Sequence, residues 1–112
     1  MIYKIMRKKE WDETQVSGVF KGSPDDLRDG FIHFSAAHQV RATVEKHFAG
    51  EEDLLLIAID PASLADKLRW EVSRGGDKFP HLYGELPLNL ATVLIEIRRD
   101  ASGEPILPLE IP

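Results

Sequence analysis

Residues Asp53 to Asp60 read DLLLIAID, a continuous apolar run closed at each end by an aspartate. The run is too short for a typical helix and shows no alternation, the pattern of a strand buried on both faces. It is the expected centre of a sheet. Before it, Ala36, Val40, Val44 and Phe48 recur at intervals of four, the spacing of one helical face, and Gly50 is expected to end that helix. Ser35 comes directly ahead, where its hydroxyl can accept an otherwise orphan helix N–H, so Ser35 is the expected N-cap.

Upstream again, Asp29 to Ser35 read DGFIHFS. Phe31 to Phe34 suits a short strand, and a period of two puts Phe31, His33 and Ser35 on one face with Ile32 and Phe34 on the other. Val19 to Gly30 holds Gly22, Ser23, Pro24 and Asp25, which predict a loop with at most one helical turn after Pro24. Lys8 to Val16 reads as a weak helix with Trp11 as its one large apolar residue and Gly18 at the C-cap. Ile2 to Met6 suits a first strand with Lys4 in its middle.

Downstream of the central run, Pro61 to Ala65 can start a helical turn. Leu68, Trp70 and Val72 then alternate with Arg69, Glu71 and Ser73, a strand with one polar face and Trp70 expected in the core. Gly75 and Gly76 mark a connecting loop, and Phe79 before Pro80 is expected to be extended. His81 to Gly84 gives a short strand or loop, and Asn89 to Arg98 a last strand with Val93, Ile95 and Ile97 facing one way. The tail PILPLEIP alternates Leu107, Leu109 and Ile111 among three prolines, which confines it to a sheet edge.

The 112 residues fit one α+β domain spanning 1–112, and 43% apolar with 29% charged residues supplies both a core and a soluble skin. A net charge of −5 argues against a nucleic-acid partner, because phosphate binding needs a basic surface. Lys4, Arg7, Lys8 and Lys9 form the one basic cluster, expected to be a solvated helix start. With no cysteine, thiolate metal sites and a cysteine nucleophile are excluded. The longest apolar run falls far short of the roughly 20 residues of a membrane span, and the N-terminus lacks a signal peptide's apolar region, so a cytoplasmic location is the default expectation.

Four histidines, His33, His38, His47 and His81, are candidates for chemistry. None has the spacing that sets two metal ligands together on a helix, so no metal is expected, although His33, Glu71 and His81 can be brought together only by folding. Asp29, His33 and Ser35 have triad residue types without the GxSxG context. The start of the Ala36 helix, beside Ser35 and close to His33, is the one place whose free N–H groups can receive an anion. Glu71, His81 and Tyr83 mix aromatic bodies with titratable heads, a composition that lines ligand clefts. His33 and Glu71 also have the residue types of a hydrolytic base and acid.

Taken together, KIMRKKEW, DGFIHFSAAHQV, DLLLIAID, LRWE and FPHLYGELPL resemble the domain-of-unknown-function family 952, small bacterial proteins without assigned function. That family is similar in fold to the ADP-ribosyltransferase superfamily, whose members bind NAD in a cleft between two small antiparallel sheets. The resemblance implies largely antiparallel split sheets with two or three helices. It implies NAD or ADP-ribose as ligand and, if the chain is an enzyme, an ADP-ribosyltransferase or NAD glycohydrolase. His33 would then hydrogen-bond the nicotinamide ribose and Tyr83 stack on the nicotinamide, with Ser35, Ala36 and His81 completing the binding set. A carboxylate would stabilise the positive charge developing on the ribose, and Glu71 or Glu85 can serve. A non-catalytic module binding a small metabolite or a protein through the same cleft is the alternative.

Overall fold

The computed structural model of the chain describes residues 1–108. Its first strand, β1 (Ile2–Arg7), leads straight into α1 (Lys8–Ser17), whose start is fixed by the Arg7 N–H donating to Glu10 Oε1. Gly18 ends that helix in the left-handed conformation, with φ of 80°. A short strand β2 (Val19–Phe20) precedes α2 (Pro24–Asp29). Strands β3 (Ile32–His33) and β4 (Ser35–Ala36) lead to α3 (Val40–His47) and then to β5 (Leu54–Ile59). The remaining strands are β6 (Leu68–Val72), β7 (Lys78–Leu82), β8 (Leu86–Pro87), β9 (Ala91–Arg99) and β10 (Pro105–Ile106).

Every pairing is antiparallel. The large sheet runs β10-β9-β5-β1-β4, so DLLLIAID supplies its central strand, as its composition predicts. Ile2 and Met6 of β1 with Ile57 and Ile59 of β5 face a core completed by Phe20, Ile32, Phe34, Leu64, Leu82 and Leu86. The opposite face carries Tyr3, Ile5, Leu54, Leu56 and Ala58, covered by Val40 and Val44 of α3. A three-stranded sheet, β3-β7-β6, and the pair β2-β8 lie on the first side. The architecture is thus an α+β domain of antiparallel sheets with three α-helices among the described residues.

Several expectations are corrected. The stretch from Val19 to Gly30 contains β2 and a full α2, because Pro24 presets the first helical φ and Asp26 accepts the Ser23 N–H. Lys4 is buried rather than solvated, whereas Lys8 and Lys9 are exposed at the start of α1, as expected; Arg7 is ion-paired to Glu51 and Lys8 to Asp12. Trp70 is 46% exposed, because β6 is an edge strand and the face carrying Trp70 and Val72 extends past the core. The helix after Ser35 opens as a 3-10 turn over Ala37–Gln39, becomes α3 at Val40 and is capped at Phe48, two residues ahead of Gly50. Ser35 is a β4 residue paired with Tyr3, so it is not a helix cap. Pro105 and Ile106 form an edge strand on β9, as the prolines predict; Leu109 and Ile111 lie outside the described residues.

Ala65 takes φ of 52° and ψ of −134°, values typical of the first central position of a type II′ turn and ones that glycine usually adopts. Ala65→Gly is therefore expected to stabilise the fold by about 1 kcal/mol, the released strain exceeding the entropy glycine adds to the unfolded chain. Chemical denaturation reads this directly; a loss of stability would refute the strain.

Candidate functional site

The site grows from one charge placed inside a strand. β1 alternates across the sheet, and Lys4 shares the face of Ile2 and Met6, where an unpaired ammonium would be costly. Its Nζ lies 2.9 Å from Asp26 Oδ2 and 3.2 Å from Oδ1, and it donates to the His33 carbonyl at 2.9 Å. Asp26 also accepts the Ser23 N–H at 2.9 Å and the His33 N–H at 3.1 Å. Its side chain is 2% exposed. Burial pushes its carboxyl up, but the bond from His33, the Lys4 charge and the two backbone N–H groups outweigh burial and hold it well below the usual carboxylate range. Asp26 is therefore an anion that can only accept.

That anion orients His33. Nδ1 sits 2.6 Å from Asp26 Oδ1, so the Nδ1 proton is the one Asp26 requires. Nε2 faces outward, 2.9 Å from Oδ2 of the half-exposed Asp29. Asp29 is held below the ordinary range chiefly by its bond to Arg28. Nε2 and the Asp29 carboxylate are within hydrogen-bonding reach of each other, so a ligand hydroxyl entering here competes with that contact for either group.

Opposite His33 on the neighbouring strand stands His81, its register partner, with the ring centroids 5.5 Å apart at 74°. His81 is buried, and its Nδ1 is 2.9 Å from Glu71 Oε1. Tyr83 donates its O–H to the same oxygen at 2.7 Å. The Tyr83 bond and then the His81 bond lower the Glu71 carboxyl, and Glu71 in turn raises the Tyr83 phenol. Phe31 stacks on His81 at 4.1 Å and 20° and tilts against His33 at 4.8 Å, filling the space beside both rings. Two histidines, each anchored at Nδ1 by its own carboxylate, thus face one cleft. Such a pair can hold, give and take protons at a bound hydroxyl.

The cleft encloses about 200 Å³, and Asp26, Asp29, His33, Ser35, Phe79 and His81 are among its walls. It opens because β4 pairs with β1 only at Ile2 and Tyr3, so Lys4 and Ile5 border the gap where a longer strand would lie. Of the sequence-predicted residues, Asp29, His33, Ser35, His47 and His81 meet here; Ala36 is off the walls, as are Glu71 and Tyr83, which stand behind His81. Glu85 is exposed and does not line the cleft.

Two predicted site groups already have local partners. Thr43 donates its hydroxyl to the Gln39 carbonyl, so the Ser35 hydroxyl, 3.0 Å from Thr43 Oγ1, is its donor partner. The Ala36 N–H is not free for an anion, because it donates to Gln39 Oε1 at 2.9 Å. Gln39 Nε2 continues to the Lys78 carbonyl, tying this corner to β7. Sequence reasoning missed Asp26, Lys4 and Gln39. The S-x-x-D spacing of Ser23 and Asp26, and one lysine inside an apolar strand, were the signals present. Among the described residues no group of three or more histidines and carboxylates is arranged to hold a metal ion, and no helix is long and apolar enough to cross a membrane.

Fold and cleft together define a small antiparallel α+β protein with a histidine-lined pocket. The chain belongs to the family described as "Protein of unknown function (DUF952)", whose pattern matches residues 5–95. It is similar to the crystal structure of protein CC0527 from Caulobacter crescentus, with 45% identity and a TM-score of 0.90 over 94% of this chain and 92% of that one. A double variant of the same bacterial protein matches at 44% identity and a TM-score of 0.89. The solution structure of CC0527 matches at 45% identity and 0.83, over 93% and 90% of the two chains. No curated protein matches.

Proposed function

We propose that the cleft binds the nicotinamide–ribose end of NAD, or the ribose of ADP-ribose, in a reduced version of the ADP-ribosyltransferase fold. The observation that carries this reading is the Asp26–His33 pair, which fixes one imidazole with Nε2 toward the cleft beside Asp29. Sugar hydroxyls suit neighbouring donor and acceptor atoms of that kind, and the carboxylates favour a cationic ring. The split between the large sheet and the β3-β7-β6 sheet, together with the family resemblance, supports the same ligand. At about 200 Å³ the space is below the roughly 300–1,000 Å³ of sites for whole drug-sized ligands, so one moiety enters and the rest lies over the rim. Binding without transfer is the reading preferred. Asp25, Asp26 and Asp29 are each ion-paired, and Glu71 reaches the cleft only through His81.

Thermal unfolding with NAD, with ADP-ribose and with buffer tests this. At a hundredfold excess over Kd a ligand adds about 2.7 kcal/mol, a rise of roughly 10 °C for a domain this size. His33→Ala is expected to remove the shift while the variant still unfolds cooperatively. Absence of a shift with both nucleotides refutes the proposal. Release of nicotinamide from NAD would convert the binder into an enzyme, with Glu71→Gln as the variant that loses it.

A further inference from the structure

The free edge of β6 is built to pair with itself. Tyr83 donates its N–H to the Lys67 carbonyl and Ser73 its N–H to the Asp77 carbonyl, so Lys67 and Ser73 turn their backbone polar groups toward β7. Residues alternate in an antiparallel ladder, so Arg69 and Glu71 do the same and Leu68, Trp70 and Val72 turn theirs away from β7; of these the Leu68 N–H is taken by the Ala65 carbonyl. Two further facts agree. Trp70 is paired with Pro80, which has no N–H to offer, and the Pro80 carbonyl is occupied on its other side by the Phe34 N–H. Among the described residues no strand lies beyond β6. This edge is unbroken by proline or bulge, and it carries Trp70 and Val72 at 46% and 65% exposure.

We propose that a second copy of the chain docks there, β6 against β6, antiparallel about a two-fold axis at Trp70. The outward groups then meet as a hydrogen-bonded pair at Trp70 with Trp70, and the Leu68 carbonyl accepts the Val72 N–H of the other copy, the Leu68 N–H being held by the Ala65 carbonyl of its own chain. Between them Arg69 falls opposite Glu71, in the closer non-hydrogen-bonded position, once on each side of the axis. The two neighbouring registers are disfavoured by the same charges. Sliding so that Leu68 meets Trp70 sets Arg69 against Arg69, and sliding the other way sets Glu71 against Glu71. The tryptophans form a cross-strand aromatic pair on one face. The joined sheets become a continuous ribbon in which each copy brings an arginine beside the Glu71 that anchors the other copy's His81.

Sedimentation or light scattering across a protein concentration series tests this on the whole chain. Wild type is expected at twice the mass of one chain. Arg69→Glu changes both symmetric pairs to like charges and should raise the dimer dissociation constant about tenfold or more. Arg69→Glu combined with Glu71→Arg restores opposite charges and should restore the dimer. Trp70→Pro removes an outward N–H that β7 does not use, so it should yield a folded monomer, checked by circular dichroism. Wild type at the mass of one chain throughout, or a dimer indifferent to Arg69→Glu and Trp70→Pro, overturns the proposal. A double variant that stays monomeric overturns the Arg69–Glu71 register.

Discussion

Asp26→Ala is expected to cost about 3–5 kcal/mol of folding stability, the scale for breaking a buried ion pair by removing one partner. The loss is large because several groups are stranded at once. Lys4, 4% exposed, is left with only the His33 carbonyl, and the N–H groups of Ser23 and His33 lose their acceptor. Against a total of roughly 5–15 kcal/mol this approaches unfolding. Acid separates the charge from simple loss of packing. A carboxyl whose folded pKa lies below its unfolded value of about 4 stabilises the fold above that value, and the contribution fades as pH falls below it. The gap between wild type and Asp26→Ala in urea denaturation should therefore narrow between about pH 5 and pH 2. A gap constant over that range would show that Asp26 is not held as an anion.

Ile57→Ala is the second large effect, at about 2–5 kcal/mol. Ile57 is 0% exposed, lies opposite Lys4 on one neighbouring strand and Leu94 on the other, and packs into the core shared with Ile32, Phe34 and Leu82. Strands on both sides prevent the sheet from collapsing into the space left. Ile57→Val should cost about 0.5–1.5 kcal/mol, and Val72→Ala, on the exposed edge, within about 0.5. Equal losses at positions 57 and 72 would contradict the assignment of β5 as the buried centre.

The contrast between those two strands explains what was readable in the sequence. DLLLIAID has no polar side, so its burial on both faces follows from composition alone. LRWEVS alternates, which separates its faces but does not say how far the core extends beneath them; Leu68 is half-buried while Trp70 is exposed. Counted with Arg7, Lys8 and Lys9 as one basic cluster, Lys4 reads as solvated, because its partner Asp26 lies 22 residues away in a stretch rich in turn formers. The six residues of α2 are too few to display a helical period. Ser35 shows how a local signal yields to a distant one: the cap position was plausible, but pairing with Tyr3 of β1 takes the residue into a strand.

Of the candidate site, His33 and His81 were legible as titratable residues among aromatics. Their opposition is a matter of register between strands 48 positions apart in numbering, 33 against 81, and no local pattern encodes that pairing. The same limit hid Gln39, whose neighbours suggest an ordinary helix start. Its side chain nevertheless satisfies the Ala36 N–H that was expected to receive an anion.

The chain passes from the three-stranded sheet to the five-stranded one between His33 and Ser35. Phe34 at that step is 2% exposed, and its N–H is held by the Pro80 carbonyl at 2.9 Å. The two walls are therefore successive residues of one extended segment, bolted at the corner. A gap made in this way has its width set when the protein folds, as the angle of a bent bracket is set before anything hangs on it. Discrimination between ligands must then come from what fits the standing shape, with little ordering left for the moment of binding.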